Sequence, residues 1–397
     1  MSSKATANKV QAVTETLTII LFLGLLWLPT VDHFLKLDHA RAPTENRLLA
    51  KWPLFKGIGQ SRDFITGIEN YFNDHFGFRN RLIRWNNHWK GQLFRNAPQQ
   101  EVVVGREGWL FHSGEQMIEH VTRRAVWNDQ ELANWCRLLE RRRDWLYQRG
   151  IKYLFTVPPD KHSVYAEFLP SWIEKSSKPS KVQQLAAYMK AHSTVEVLDL
   201  SEALIEAKGI HVDYFRTDTH WNQFGGFIGY QAVIQALSRQ MPGLKPLPVE
   251  AYEWKLITMP PFDLAKKMGR DSDKETAAFD PIALKPLPVL NPLYDPVRFP
   301  HQGLESIRPC YTLNDKATGR ALVFRDSFAC YWYSYLGQHF KEVIYIWRQE
   351  WDGPLVDREK PDVVIDEIVE RFLNLRDPLD LARKDNLPGA PAVSPKP

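Results

Sequence analysis

The sequence predicts an α/β fold, a parallel sheet flanked by helices, preceded by an apolar helix long enough to cross a membrane. Three observations carry this. Apolar runs of strand length alternate with amphipathic stretches from IKYLFTVPP to DVVIDEIVERFL, the rhythm of parallel strands joined by crossover helices. Two short segments bearing acid, imidazole and hydroxyl groups lie beside such runs, where α/β sheets place their sites. Thr16 to Leu35 is a largely apolar stretch of 20 residues, and roughly 20 are needed to span the ~30 Å hydrocarbon core.

A chain of 397 residues buries a sizeable core as one large domain with appendages. Its 44% hydrophobic and 25% charged content excludes wholesale disorder. The net charge is +4, with Lys and Arg scattered among acids as in RRAVWNDQE. No basic stripe forms, which argues against a nucleic-acid partner. The 14 Trp, 14 Tyr and 21 Phe belong mostly in the core, and a surface minority suits flat apolar faces such as sugar rings. Cys136, Cys310 and Cys330 contain no CxxC pair. That excludes a zinc ribbon or a disulfide framework and leaves a Cys310–Cys330 bond or buried thiols open.

Residues 1–15 are polar, with Lys4 and Lys9, and read as a cytoplasmic N-terminus. Residues 16–35 read as a transmembrane signal anchor, with Trp27, Asp32 and His33 near the far interface. Ala40-Arg41-Ala42 followed by Pro43 makes a poor cleavage site, so the anchor is expected to stay uncleaved, with the body of the protein outside. A cleaved signal peptide and a buried core helix are the competing readings. Residues 36–100 form an extension in which Trp85, His88, Trp89 and Leu93 recur at helical spacing, suggesting a helix that packs on the main domain. Asn73, Asp74, His75 and Arg79 read as a solvated or capping turn.

The main domain is expected over 101–375. EVVVGREGWLF reads as a hairpin with Gly105 and Gly108 flanking its tip. Asn128 or Asp129 caps a helix that buries Leu132, Trp135, Leu139 and Leu146 and ends at Gly150. IKYLFTVPP is a strand stopped by Pro158 and Pro159, a helix follows from Ser180 to His192, and VEVLDLSEAL gives a strand and a turn. A glycine-rich helix opens near Trp221. Residues 243–320 read as a Pro-rich excursion with short strands and one helical turn at DLAKKMG. ALVFRDS, EVIYIW and DVVIDEIVERFL then resume the sheet, and 376–397 reads as a disordered tail.

The chemistry rests on YFRTDTHWNQFGGF and ALVFRDSFACY. An alcohol is a weak nucleophile until a base removes its proton and a third group holds the imidazole in the right tautomer. Asp218 and His220, one residue apart, point the same way if the backbone is extended. Ser327 lies just past a strand end. The set reads as catalytic: Ser327 nucleophile, His220 base, Asp218 orienter. The rival is a metal site built from His211, Asp213, Asp218 and His220. No second cluster completes it, so neither metal nor cofactor is expected. Lys161, after the TVPP strand end, Arg325 and Trp221 are candidate substrate contacts, with an exposed lysine as the plain alternative for Lys161. Asp326 is expected to fix the serine turn.

YFRTDTHWNQFG and VFRDSFA resemble the two signature blocks of the alginate O-acetyltransferase family, the AlgX/AlgJ type with an SGNH-hydrolase-like domain. NDHFGFRNRL, GREGWLF, VPPDKHSVY, FDLAKKMG and KPDVVIDEIVERFL extend the resemblance across most of 45–375. Ordinary SGNH hydrolases place Ser first and the Asp–His pair last. Here the order is reversed, so the resemblance implies a circularly permuted SGNH-like sheet. It also implies an acetyl group carried on Ser327, a periplasmic catalytic domain anchored in the inner (cytoplasmic) membrane, an exported polysaccharide as substrate, and a multi-spanning membrane acyltransferase as acetyl source. Two departures stand out. Position 325 is Arg where SGNH hydrolases carry the Gly of G-D-S, which alters the turn and the oxyanion surroundings. About seventy residues follow Ser327, leaving no room for the carbohydrate-binding module some relatives carry, so the grip on polymer is expected from this domain. The Ser327 N–H is the default oxyanion donor.

Three functions compete on this reading. The first is a polysaccharide O-acetyltransferase. The second is a carbohydrate acetyl-esterase using the same triad, with water as acceptor. The third is a non-catalytic polysaccharide-binding subunit, which would have no use for all three catalytic groups.

Overall fold

The computed structural model describes residues 2–35, 37, 49–55, 57, 61–79, 81–82, 85 and 101–389, apart from 286, 289, 302 and 303. The chain divides into two compact units, Met1–Leu93 and Phe94–Pro397.

In the first unit, helix α1 (Ser2–Leu35) contains a 22-residue segment, Gln11–Asp32, of mean hydropathy 1.8. Its length and composition suffice to cross a membrane, and its leucines and isoleucines from Leu17 to Leu28 are exposed among the described residues. Gly77 meets this helix closely: a Cβ there would lie 2.2 Å from the Pro29 carbonyl oxygen. The Phe78 N–H donates to the Asp32 carboxylate at 3.1 Å. Helix α2 (Ser61–His75) is amphipathic, and Trp52 packs edge-on to its Tyr71 at 5.1 Å. Asn73, Asp74 and His75 form the last turn of this helix rather than a capping turn, and Asp74 accepts from the Ala50 N–H at 2.7 Å. The helix expected through His88, Trp89 and Leu93 lies outside the described residues, Trp85 excepted.

The second unit opens with the expected hairpin, β1 (Val102–Val104) paired antiparallel with β2 (Leu110–His112). Its tip bends through Glu107 and Gly108, both with positive φ, 54° and 80°. Helix α3 (Asp129–Tyr147) starts in a capping box, with the Glu131 N–H donating to Asn128 at 2.9 Å and the Asn128 N–H to Glu131 at 2.8 Å. Such a cap stabilises by about 1 kcal/mol. Strand β3 (Lys152–Val157) follows, then α4 (Lys181–His192), boxed by Ser180 and Gln183, then β4 (Val197–Asp199) and α5 (Ser201–Ala207). Helix α6 (Gln223–Ser238) is buried along most of its length, in line with its apolar, glycine-rich sequence.

Residues 243–320 are more regular than expected. Strands β5 (Tyr252–Met259) and β6 (Glu275–Ala283) form a long antiparallel ribbon, with the helical turn Asp263–Lys267 between them. Pro281 sits opposite Trp254, which a two-stranded ribbon tolerates because each strand has a free edge. One face of β5 stays open to solvent, so its sequence lacks a continuous apolar run. Strands β7 (Cys310–Leu313), β8 (Arg320–Arg325) and β9 (Glu342–Trp347), helix α7 (Gly353–Glu359), strand β10 (Val363–Glu367) and helix α8 (Glu370–Leu375) complete the core.

The main sheet runs β4-β3-β10-β8-β9-β7, parallel throughout except for the antiparallel edge strand β7. Both faces are covered. Ala321 and Val323 point into the cluster with Trp221, Phe227 and Trp332, while Leu322 and Phe324 point into the one with Trp135, Trp145 and Trp351. The period of two thus splits one strand between two cores.

The tail differs from expectation. Helix α9 (Pro378–Lys384) docks through Leu381 and Ala382, and residues 390–397 lie outside the described residues. Asp385 accepts two 2.8 Å bonds from the buried Arg142 guanidinium, which also reaches Asp366 at 2.9 Å. A polar tail can dock when its carboxylate completes a buried cation that would otherwise be unpaired.

Candidate active site

The carboxyl ends of β3, β10 and β8 lie side by side, and the site is assembled there. After β8, Asp326 is fully buried and ties two strand ends together. Its carboxylate accepts from the Phe328 N–H at 2.9 Å and from the Val369 N–H, beyond β10, at 2.7 Å. Its own N–H donates to Glu367 at 2.7 Å. Burial, with the neighbouring Asp326 carboxylate, pushes the Glu367 acid well above the usual range. Ser327 then enters a short 3₁₀ turn, Phe328–Trp332.

Two indoles lock that turn to α6. Trp221 Nε1 donates to the Phe328 carbonyl and Trp332 Nε1 to the Gly226 carbonyl, each at 3.1 Å. The glycines make the approach possible. A Cβ on Gly226 would stand 2.5 Å from Tyr331 Cβ, and one on Gly229 would stand 2.8 Å from the Trp221 ring.

The acid–base loop faces this turn. Tyr214 bridges to Trp221, and the Phe215 N–H donates to the His220 carbonyl at 3.3 Å, closing a tight loop where the sequence suggested an extended run. Asn222 caps α6 through the Phe224 and Gly225 N–H groups at 2.9 and 3.0 Å. Glu275 on β6 accepts from the Thr217 N–H at 2.8 Å and its hydroxyl at 2.6 Å. The Leu264 N–H donates to the Thr217 carbonyl at 3.1 Å, setting the Asp263 turn beneath the loop.

The three side chains converge. His220 Nδ1 lies 2.7 Å from Asp218 Oδ1, and His220 Nε2 lies 2.7 Å from Ser327 Oγ. Asp218 is buried, while His220 and Ser327 keep partial exposure. Burial alone would lower the His220 pKa, but the Asp218 charge and hydrogen bond outweigh it and raise it. Asp218 is held well below the ordinary carboxylate range: burial opposes this, and the His220 charge and hydrogen bonds from His220 and Asp263 overcome it. Burial and the Asp218 charge push Asp263 up to about 6.

The three candidate substrate contacts lie elsewhere than the sequence reading placed them. Lys161 is buried, with its ammonium donating to the carbonyls of Phe215, Arg216 and Asp218 at 2.9, 3.3 and 2.5 Å. Arg325 is buried beneath the turn, donating to the Asp326 carbonyl at 3.0 Å and to Cys330 Sγ at 3.2 Å. Trp221 is fully buried. All three shape the site from behind rather than face a ligand. The three cysteines are free thiols.

Among the described residues, His211, Asp213, Asp218 and His220 form no metal-binding group; Asp160, His162 and Glu370 do converge, with ligand atoms within 4.8 Å of one another. Arg371 already pairs with Asp160 at 2.5 Å, and Ser163 and the Asp160 N–H donate to Glu370 at 2.6 and 3.0 Å. That chemistry fits a charge-balanced hydrogen-bond network better than a dication. Sequence reasoning missed Glu275, Asp263 and Arg371. Asp263 and Arg371 lie in the FDLAKKMG and KPDVVIDEIVERFL blocks, but nothing local marks any of the three as a site residue, and only the fold turns them inward.

Parts of the chain resemble known proteins. Residues 102–285 match the family described as SGNH hydrolase-like domain, acetyltransferase AlgX. That span holds Asp218 and His220; Ser327 lies beyond it. The probable alginate O-acetylase AlgJ of Pseudomonas putida is 30% identical over 156 residues, 39% of this chain and 39% of that protein. Its namesake in Pseudomonas aeruginosa is 27% identical over 194 residues, 49% of this chain and 42% of that protein. The chain therefore spans about two fifths of the length of these curated relatives. Among solved structures, Bacillus cereus PatB1 aligns with a TM-score of 0.50 at 17% identity, over 70% of this chain and 98% of that one. At that identity the likeness speaks for the fold alone. Residues 102–285 thus resemble an SGNH hydrolase-like domain of the AlgX type, and part of the chain is similar to the AlgJ proteins.

Proposed function

We propose that this chain, with its SGNH hydrolase-like domain of the AlgX and AlgJ type, is an O-acetyltransferase that moves acetyl groups through an acetyl-Ser327 intermediate to hydroxyls of an exported polysaccharide. The observation that carries the reading is the unbroken relay Asp218–His220–Ser327, with both links at 2.7 Å. In the first half-reaction His220 Nε2 takes the Ser327 proton as Oγ attacks the acetyl carbonyl of the donor. The tetrahedral oxyanion collapses, the donor's oxygen leaves with the proton from His220, and an acetyl ester remains on Ser327. We assign the Ser327 N–H to the oxyanion. In the second half-reaction His220 takes a proton from a sugar hydroxyl, whose oxygen attacks the acetyl-serine. The serine oxygen departs with that proton and the acetylated sugar leaves. Asp218 keeps Nδ1 protonated throughout.

The apolar helix segment Gln11–Asp32 supports single-pass anchoring in the inner membrane, with the catalytic unit in the periplasm. A multi-spanning membrane acyltransferase would then deliver acetyl groups from the other side of the bilayer. The test uses the full chain in detergent with an acetyl ester donor and a uronate or neutral sugar oligomer. The expected result is a 42-Da adduct on the Ser327 peptide, about the mass of one acetyl group, followed by an acetylated oligomer. Free acetate in place of acetylated oligomer would assign the chain as an esterase instead. Full activity in Ser327→Ala would sink the triad altogether.

A further inference from the structure

We infer that Lys161 is a positioning residue whose buried ammonium holds the acid–base loop in its working shape, orienting Asp218 and, through it, His220. The inference rests on the triad reading above and deepens it. The residue has no exposed face, and all three of its donor hydrogens end on one short stretch of backbone. They go to the carbonyls of Phe215 at 2.9 Å, Arg216 at 3.3 Å and Asp218 at 2.5 Å. Those carbonyls converge because the loop closes on itself between Tyr214 and Trp221. Three carbonyl oxygens aimed at one point repel one another, and a cation at that point turns the repulsion into attraction. Without it the loop would have to open and rotate peptide groups on either side of Asp218. With all three of its hydrogens engaged, the ammonium has none left to offer a ligand.

The surroundings suit a cation that stays put. The Trp109 and Phe111 rings lie 5.7 and 5.5 Å from Nζ, contributing cation–π attraction. Asp218, Glu275 and Asp263 are the carboxylates that act on it, and Arg216 lies over the same Trp109 ring at 5.6 Å. Burial pushes the ammonium down to about 8, against the upward pull of those three acids. The clamp is therefore charged below that pH and loses its charge above it. His220, by contrast, must be neutral to act as base, so its titration governs the acidic limb of activity.

The experiment measures acetyl transfer and the rate of Ser327 modification by a sulfonyl fluoride, using full-length protein in detergent across pH 6 to 10. In wild type both rates are expected to fall above roughly pH 8, the range in which a buried lysine of depressed pKa titrates. Lys161→Met should lose about 100-fold in kcat, the scale of a misplaced catalytic group, with KM nearly unchanged. Lys161→Arg, always charged, should restore part of that loss and move the alkaline fall upward by more than about one pH unit. A Lys161→Met enzyme within about threefold of wild type, well short of that loss, overturns the proposal. So does an alkaline limb that Lys161→Arg leaves in place. Where Lys161→Met fails to fold, the wild-type profile decides: rates that stay flat to pH 10 overturn it. Ser327→Ala with activity intact would instead condemn the triad, a separate outcome.

Discussion

The two halves of the site meet across 2.7 Å between His220 and Ser327, yet they are held by different physics. The nucleophile turn is set by packing. Its residues Phe328, Ala329 and Trp332 are wholly buried, two indoles lock it to α6, and its one carboxylate, Asp326, spends both oxygens on backbone N–H groups. The acid–base loop is set by charge. Lys161 grips its carbonyls, Glu275 its N–H groups, and the Asp263 and Asp218 carboxyls act on each other's charge. A packed element answers chiefly to volume, and a charged one to pH. The division assigns each half its own way of failing.

The largest effects come from breaking the link itself. Ser327→Ala should lower acyl transfer by about 10³ to 10⁴-fold or more while leaving the thermal unfolding curve in place. An unfolding shift of several degrees would show that Oγ is structural. Next is Asp326→Ala, which strands the Phe328 and Val369 N–H groups. Each costs about 1–3 kcal/mol when buried without a partner, read as a lower urea midpoint together with slower Ser327 modification. A Gly226→Ala side chain must push against Tyr331 Cβ, and overpacking of this kind costs about 1–3 kcal/mol. Its signature is a pH-independent loss, since nothing in that contact titrates; a loss that varied with pH would blur the division between the halves.

The smallest effect sharpens the charged half. Asp263→Asn removes a neighbouring acid from Asp218 and should cost less than about tenfold in rate, the range of a modest electrostatic change. Its effect on stability has a definite sign. The Asp263 carboxyl is raised to about 6 in the fold from an unfolded value of 3.8. Its contribution is therefore fully present below the unfolded value and is lost as pH rises through about 6. The asparagine variant escapes that loss, so relative to wild type it should gain stability between pH 4 and 7. Parallel unfolding curves for the two proteins across that window would refute the raised Asp263 carboxyl.

How legible this was depends on the range of the signal. Helices α3 and α4 could be read because their capping boxes lie within four residues, and β8 and β10 because unbroken apolar runs mark strands buried on both faces. Asp218 and His220 stood out through spacing, and Ser327 through its place at a strand end. Lys161 was misread as a surface contact because a lysine after a Pro-Pro break has no local sign that three carbonyls await it from a loop more than fifty residues later. Arg325 and Trp221 failed in the same way: their partners come from other elements. Docking of Asp385 on Arg142 spans most of the domain and leaves no trace in local composition. The β5–β6 ribbon escaped because a strand with one open face and a proline lacks the apolar density of a core strand.

The two interlocked indoles are a spectroscopic reporter at the site, read as a change against the similarly spaced Trp127 and Trp135 pair. The Trp221 and Trp332 rings lie 5.7 Å apart at a tilt of 43°, close enough for their transitions to couple and produce a paired circular-dichroism band. One indole is bonded to the backbone just after Ser327, and the other belongs to the same turn. A shift of that turn on acylation should rotate one chromophore against the other, a change a Ser327→Ala control would not show. Chemistry at a single oxygen can thus be followed in unlabelled protein, by light absorbed a few ångströms behind it.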